Sequence, residues 1–177
     1  MDILRSLPSD FHAPILLVLH IGEKFGVALA DWLDGQSGRR VALAENGTLV
    51  SGLVDRVAMA PPDHHVVVRS GRLHLTTDPE RHSCRPSVDV LFESAAREYG
   101  GALAACLLTG MGRDGASGLL EVRRAGGVTI GQDEATSVIY GMPREAALLG
   151  AVEYVLPLQE IGPSLATLVR RRGDGAP

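Results

Sequence analysis

Short apolar runs alternate along this chain with amphipathic stretches of helical period, and that alternation leaves few folds open. Ile15 to Leu19, Val41 to Ala44, Val57 to Ala60, Leu103 to Leu108, Val128 to Ile130 and Val152 to Leu156 are too short for helices and read as strands. The first of them follows Pro14 and is expected to be buried on both faces. Val27 to Leu33 has helical spacing, and Val88 to Tyr99 sets Val88, Leu91, Phe92 and Ala95 on one face. A further helix opens at Asp114 or Gly115 and stops at Gly126-Gly127, as glycines stop helices. Pro143 suits the first turn of a helix to Leu149, and residues 158–172 read as the last helix. Val66–Val68 and Leu73–Leu75 flank Ser70-Gly71 as a hairpin, and the polar stretch from Thr76 to Ser87 is a loop. Strands alternating with helices predict the α/β class, with a mostly parallel sheet covered on both faces.

Length and charge narrow the function. At 177 residues the chain is one domain over residues 1–172, long enough to fold without disulfide or metal, with a frayed, disordered tail at 173–177. The net charge is −4 and Lys24 is the one lysine, so no basic face offers itself to nucleic acid. The Arg170-Arg171-Arg172 run reads as the solvated last turn of a helix. No apolar run approaches the ~20 residues of a membrane span, and the first residues lack a signal-peptide layout. No membrane insertion and a cytoplasmic setting are therefore expected. Cys84 and Cys106 are isolated thiols, Cys106 in an apolar run as a small buried hydrophobe. No cluster has metal-ligand spacing, and neither metal nor cofactor is expected.

Ligands of parallel sheets bind beyond the C-terminal ends of the strands. The residues there are His20, the segment Thr109 to Gly115 and the segment Gly131 to Glu134. Gly110-Met111-Gly112-Arg113-Asp114-Gly115 fits G-x-G-x-x-G between a strand and a helix, with Asp133 and Glu134 after the next strand. That pattern permits a dinucleotide-binding module. Asp114 weighs against it, because a carboxylate at a helix N-terminus opposes a pyrophosphate. A second reading pairs Asp114 with His20. A buried carboxylate bound to one imidazole nitrogen fixes the tautomer and leaves the other nitrogen as a general base. Glycines around Met111 leave backbone N–H groups free to face an oxyanion. His64 and His65 read mainly as a surface turn, His12 and His74 as surface residues. Ser6 and Ser9 read as turn or cap residues.

Longer motifs support the second reading. Leu107-Leu108-Thr109-Gly110-Met111-Gly112-Arg113-Asp114-Gly115-Ala116 resembles the catalytic domain of the chemotaxis methylesterase family, CheB. So do Arg85-Pro86-Ser87-Val88-Asp89-Val90-Leu91-Phe92, Gln132-Asp133-Glu134-Ala135-Thr136-Ser137-Val138 and Gly141-Met142-Pro143-Arg144-Glu145-Ala146. Val18-Leu19-His20-Ile21 and Ala60-Pro61-Pro62-Asp63-His64-His65 fit in the same order, so the resemblance covers nearly the whole chain.

The resemblance implies a doubly wound, Rossmann-like three-layer α/β/α sandwich. It implies a serine-type ester hydrolase that removes methyl groups from glutamates on chemoreceptor helices, and often deamidates receptor glutamines. It places His20 as general base, Asp114 as orienting carboxylate and Met111 as an oxyanion-hole amide. Gly110, Gly112, His82, Arg85 and Met142 are expected around the substrate cleft. The family's nucleophilic serine lies in a G-A-S-x-G-G-type turn after a first strand, and Met1 here falls in the helix that follows. The chain is therefore expected to lack that first strand and turn, to carry no receiver domain, and to be at most trace-active. A strand absent from the middle of the sheet predicts a gap there and self-association through the exposed edges. A non-catalytic domain that binds a receptor or signalling partner is the alternative.

Overall fold

The structure, a computed structural model, describes residues 1–173. In chain order it contains α1 (Asp2–Ser6), β1 (Ile15–Leu17), α2 (Gly26–Ser37), β2 (Arg40–Leu43), β3 (Arg56–Met59), β4 (His65–Arg69) and β5 (Arg72–Thr76). These are followed by α3 (Val88–Tyr99), β6 (Ala104–Leu107), α4 (Ala116–Arg124), β7 (Val128–Gln132), α5 (Met142–Leu148), β8 (Tyr154–Leu156) and α6 (Leu158–Gly173). Short 3₁₀ turns at Glu23–Phe25, Val50–Leu53 and Gly100–Ala102 link some of them. The last helix runs one residue further than the sequence pattern predicts. The rest of the expected tail, residues 174–177, lies outside the described residues.

The parallel strands form two three-stranded sheets, ordered β1-β3-β2 and β6-β7-β8, while β4 and β5 make an antiparallel hairpin. Period-two alternation sorts the side chains of the first sheet. Val41, Val57, Met59, Ile15 and Leu17 cluster with Ala30, Leu33 and Leu4 of the α2 and α1 side. Leu16, Ala58 and Ala60 cluster with hairpin residues Val66, Val68 and Leu73 and with Leu91 and Ala95 of α3. One face is thus covered by helices and the other by the hairpin and α3, which is the layered arrangement a parallel sheet needs.

β1 and β6 each pair on one side only, β1 with β3 and β6 with β7. No ladder joins the two sheets among the described residues. They are nonetheless neighbours, since Val18 and Leu103 pack against both of the clusters that flank them. All three residues of β1 are half-buried rather than buried on both faces as the apolar run predicts. The unpaired edge accounts for this, because a strand is fully covered only between two partners.

Candidate active site

β1 and β6 end on the same side of the molecule, and their trailing segments meet. His20 Nε2 donates to Asp114 Oδ2 at 2.8 Å. Nδ1 then has no partner among the described residues and keeps its lone pair. The Asp114 side chain is nearly buried and that of His20 is 29% exposed, so the imidazole is reachable and the carboxylate is not.

Asp114 is held by more than His20. Ser87 Oγ donates to its Oδ1 at 2.6 Å, the Val88 N–H to its Oδ2 at 2.7 Å and the Asp89 N–H to Oδ1 at 3.2 Å. Ser87 is the N-cap of α3, so the carboxylate sits on the positive end of that helix. Burial opposes its ionisation, but the bonds from His20, Ser87, Val88 and Asp89 outweigh burial and hold its pKa below the ordinary value. Asp89 makes the complementary contact. Its Oδ1 accepts the Gly118 N–H of the first turn of α4 at 2.6 Å, and its Oδ2 accepts from His82 Nε2 at 3.1 Å. Burial pushes Asp89 up despite the Gly118 bond, and the Asp114 charge adds to the rise.

This arrangement removes the dinucleotide reading of Gly110 to Gly115. The N-terminus of α4, where a pyrophosphate would lie, is already capped by the Asp89 carboxylate. The glycines serve geometry instead. Gly112 and Gly115 have φ of 93° and 88°, in the left-handed region, and a Cβ on Gly115 would meet Leu107 and Val88.

The loop before Asp114 borders an open cleft of about 510 Å³, lined by His82, Ser83, Cys84, Met111, Gly112, Arg113, Asp114 and Glu145. Met111 lies in a bend outside any helix, and its amide finds no protein acceptor among the described residues. The residue is 78% exposed. Of the residues expected around the cleft, His82 and Gly112 line it. His82 is fixed there, since its Nδ1 accepts from Arg113 Nε at 3.1 Å while Nε2 donates to Asp89. Gly110 and Met142 lie under the rim. Gly110 bonds Ile139 and Met142 through its backbone, and buried Met142 fills the space where a Gly110 Cβ would be. Arg85 is occupied elsewhere, bonding Asp63 and the carbonyls of Thr77 and Asp78.

Two supporting residues escape a reading by sequence spacing. Buried His65 accepts the Ser87 N–H at its Nδ1 and contacts the Pro79 carbonyl, so it orders the loop that carries Ser87; it is not a surface turn. Cys84 is the other. His20, Cys84 and Asp114 each bring one metal-ligating atom to within 4.8 Å of the others. Spacing along the sequence does not reveal this group, because the three residues come from separate loops that only the fold unites. Burial, then the charges of Asp114 and Glu80, raise the Cys84 thiol. Burial alone pushes Cys106 up to about 12, in keeping with an inert core thiol.

Comparison with known proteins places this geometry. Residues 1–165 match the family model described as CheB methylesterase. The chain is 47% identical over 169 residues to protein-glutamate methylesterase/protein-glutamine glutaminase 2 of Burkholderia orbicola, covering 96% of this chain and 50% of that one. It is 47% identical over 165 residues to the protein-glutamate methylesterase FrzG of Myxococcus xanthus, covering 93% and 49%. The chain thus spans about half the length of these relatives. The crystal structure of the Thermotoga maritima CheB methylesterase catalytic domain superposes with a TM-score of 0.87 at 35% identity, over 94% of this chain and 90% of that one.

Proposed function

Because the chain belongs to the CheB methylesterase family, we propose that it supplies the base, the orienting carboxylate and the oxyanion loop of a protein-glutamate methylesterase. The substrates are methylated glutamates on chemoreceptor helices, with deamidation of receptor glutamines as a companion activity. The observation that carries this reading is the 2.8 Å bond from His20 Nε2 to Asp114 Oδ2, which leaves Nδ1 as the base.

In the proposed reaction His20 Nδ1 takes the proton of a serine hydroxyl as its oxygen attacks the ester carbonyl. The oxyanion that forms accepts from the Met111 N–H. The intermediate collapses as the imidazolium gives its proton to the departing methoxide, releasing methanol. Water, deprotonated in turn by His20, cleaves the acyl-serine and restores the serine and a free glutamate. Asp114 keeps its proton-free state throughout and holds the ring.

No segment of residues 1–177 fits G-x-S-x-G-G. The unpaired edges of β1 and β6 favour one position for the nucleophile: the end of a parallel strand lying between them, whose C-terminus would reach His20. The serine-bearing strand comes from outside residues 1–177, and the free edges make self-association a companion proposal. The exposed apolar rim supports a protein substrate. Met111 is 78% and Val138 90% exposed, and the Gly110 N–H bonds the Ile139 carbonyl, tying their two loops together. Such a rim suits the apolar face of a helix. Methanol release from methylated receptor, with and without a serine-bearing strand, tests the reading.

A further inference from the structure

We propose that His20, Cys84 and Asp114 form a zinc site at the mouth of the cleft. One donor atom from each lies within 4.8 Å of the other two. The donors are an imidazole nitrogen, a thiol sulfur and a carboxylate oxygen, each a ligand type that zinc binds, and three of them leave a fourth tetrahedral position open to water. A thiolate among them disfavours magnesium and calcium, which want oxygen.

The geometry needs little movement. In a tetrahedral zinc centre the N, S and O donors stand about 3.3–3.6 Å apart. The His20–Asp114 pair at 2.8 Å opens by about half an ångström, and the sulfur, within 4.8 Å of both, closes by at most about 1.5 Å. Two of the three ligands are firmly mounted. Asp114 is held by Ser87, Val88 and Asp89. Cys84 lies on a tight loop closed by paired backbone bonds with Arg81, in which His82 and Ser83 adopt positive φ. The second cluster of this kind, His82 with Asp89 and Asp114, is a poorer host, because both ring nitrogens of His82 are already engaged. On binding, the Cys84 thiol releases its proton to solvent, and the His20 ring proton moves from Nε2 to Nδ1 so that Nε2 gives its lone pair to the metal. The ion therefore competes with the general-base role of His20. That inhibitory consequence rests on the proposed function, whereas binding itself does not.

Titration of the purified chain with zinc, followed by calorimetry, should show one equivalent bound. Cobalt as a spectroscopic stand-in should give a thiolate-to-metal charge-transfer band and the visible spectrum of a tetrahedral ion. Cys84→Ser should abolish the charge-transfer band and weaken zinc binding by at least about 100-fold, since even partners outside the coordination sphere are worth 10–100-fold. His20→Ala should weaken binding comparably while the charge-transfer band survives at saturating cobalt. Cys106→Ser should change neither. A thermal melt of each variant checks that it is folded; Asp114 is left intact because its loss threatens the fold. The proposal is overturned if zinc does not bind stoichiometrically, if the band persists in Cys84→Ser, or if Cys106→Ser removes it.

Discussion

Asp114 and Asp89 cap each other's helices. Asp114, in the loop leading into α4, accepts N–H groups of Val88 and Asp89 at the start of α3. Asp89, in the first turn of α3, accepts the N–H of Gly118 in the first turn of α4. Gly118 permits the close approach, since a Cβ there would come within 2.9 Å of the Asp89 backbone. The exchange locks the two helices together and fixes the carboxylate that His20 uses.

Removing Asp114 should therefore cost far more stability than removing His20. Asp114→Ala strands Ser87 Oγ and two buried N–H groups, each worth about 1–3 kcal/mol when left unpaired. A total near 3–5 kcal/mol corresponds to a Tm lower by about 10 °C at this chain length. His20→Ala breaks one hydrogen bond of a part-exposed ring and should cost about 1 kcal/mol. Calorimetric or dichroism melts distinguish the two; equal losses would contradict the capping role.

Acid should loosen the same junction. The folded-state pKa of Asp114 lies below its ordinary value of 3.8. Its contribution is present above that value and is lost as pH falls from there through the folded pKa. Asp89 runs the other way: its pKa is raised, so its contribution is present below 3.8 and fades as pH rises through the folded value. Denaturant melts at stepped pH should show wild-type stability falling below about pH 4. The slope in that window should be shallower in Asp114→Asn, and an unchanged slope would remove Asp114 as its source.

The parts of the fold written in local pattern were legible beforehand. α3 spans Val88–Tyr99 as its apolar stripe predicts, and the strands lie where the apolar runs do. The pairing of His20 with Asp114 was legible because both follow strands of one parallel arrangement. What local pattern does not carry is partnership across the chain. Ser87 touches Asp114 from 27 positions away, and His65 reaches Ser87 across 22. An N-cap serine before an apolar stripe was the available signal for Ser87, but not for what it would hold. Arg85 and Met142 looked like cleft residues by motif. In the fold Arg85 also ties a loop to Asp63, and Met142 fills the space under Gly110.

The open edges of β1 and β6 should make the chain associate in solution. Each offers a row of unpaired backbone groups, which in parallel sheets are ordinarily enclosed. Light scattering on residues 1–177 should report a mass above one chain. Adding a serine-bearing strand segment that fills the position should shift it towards the one-chain value. A monomer at all concentrations, unaffected by the segment, would remove self-association from the account.

The central claim is that His20, Asp114 and the Met111 loop are esterase machinery completed by a serine delivered between β1 and β6. The direct measurement is methanol release from methylated chemoreceptor by residues 1–177 alone and joined to a strand ending in a G-A-S-x-G-G-type turn. The chain alone should show at most trace release, the joined form robust release, and His20→Ala in the joined form a loss of about 10³-fold or more. Full turnover by the chain alone, or by the joined form after His20→Ala, would contradict the claim.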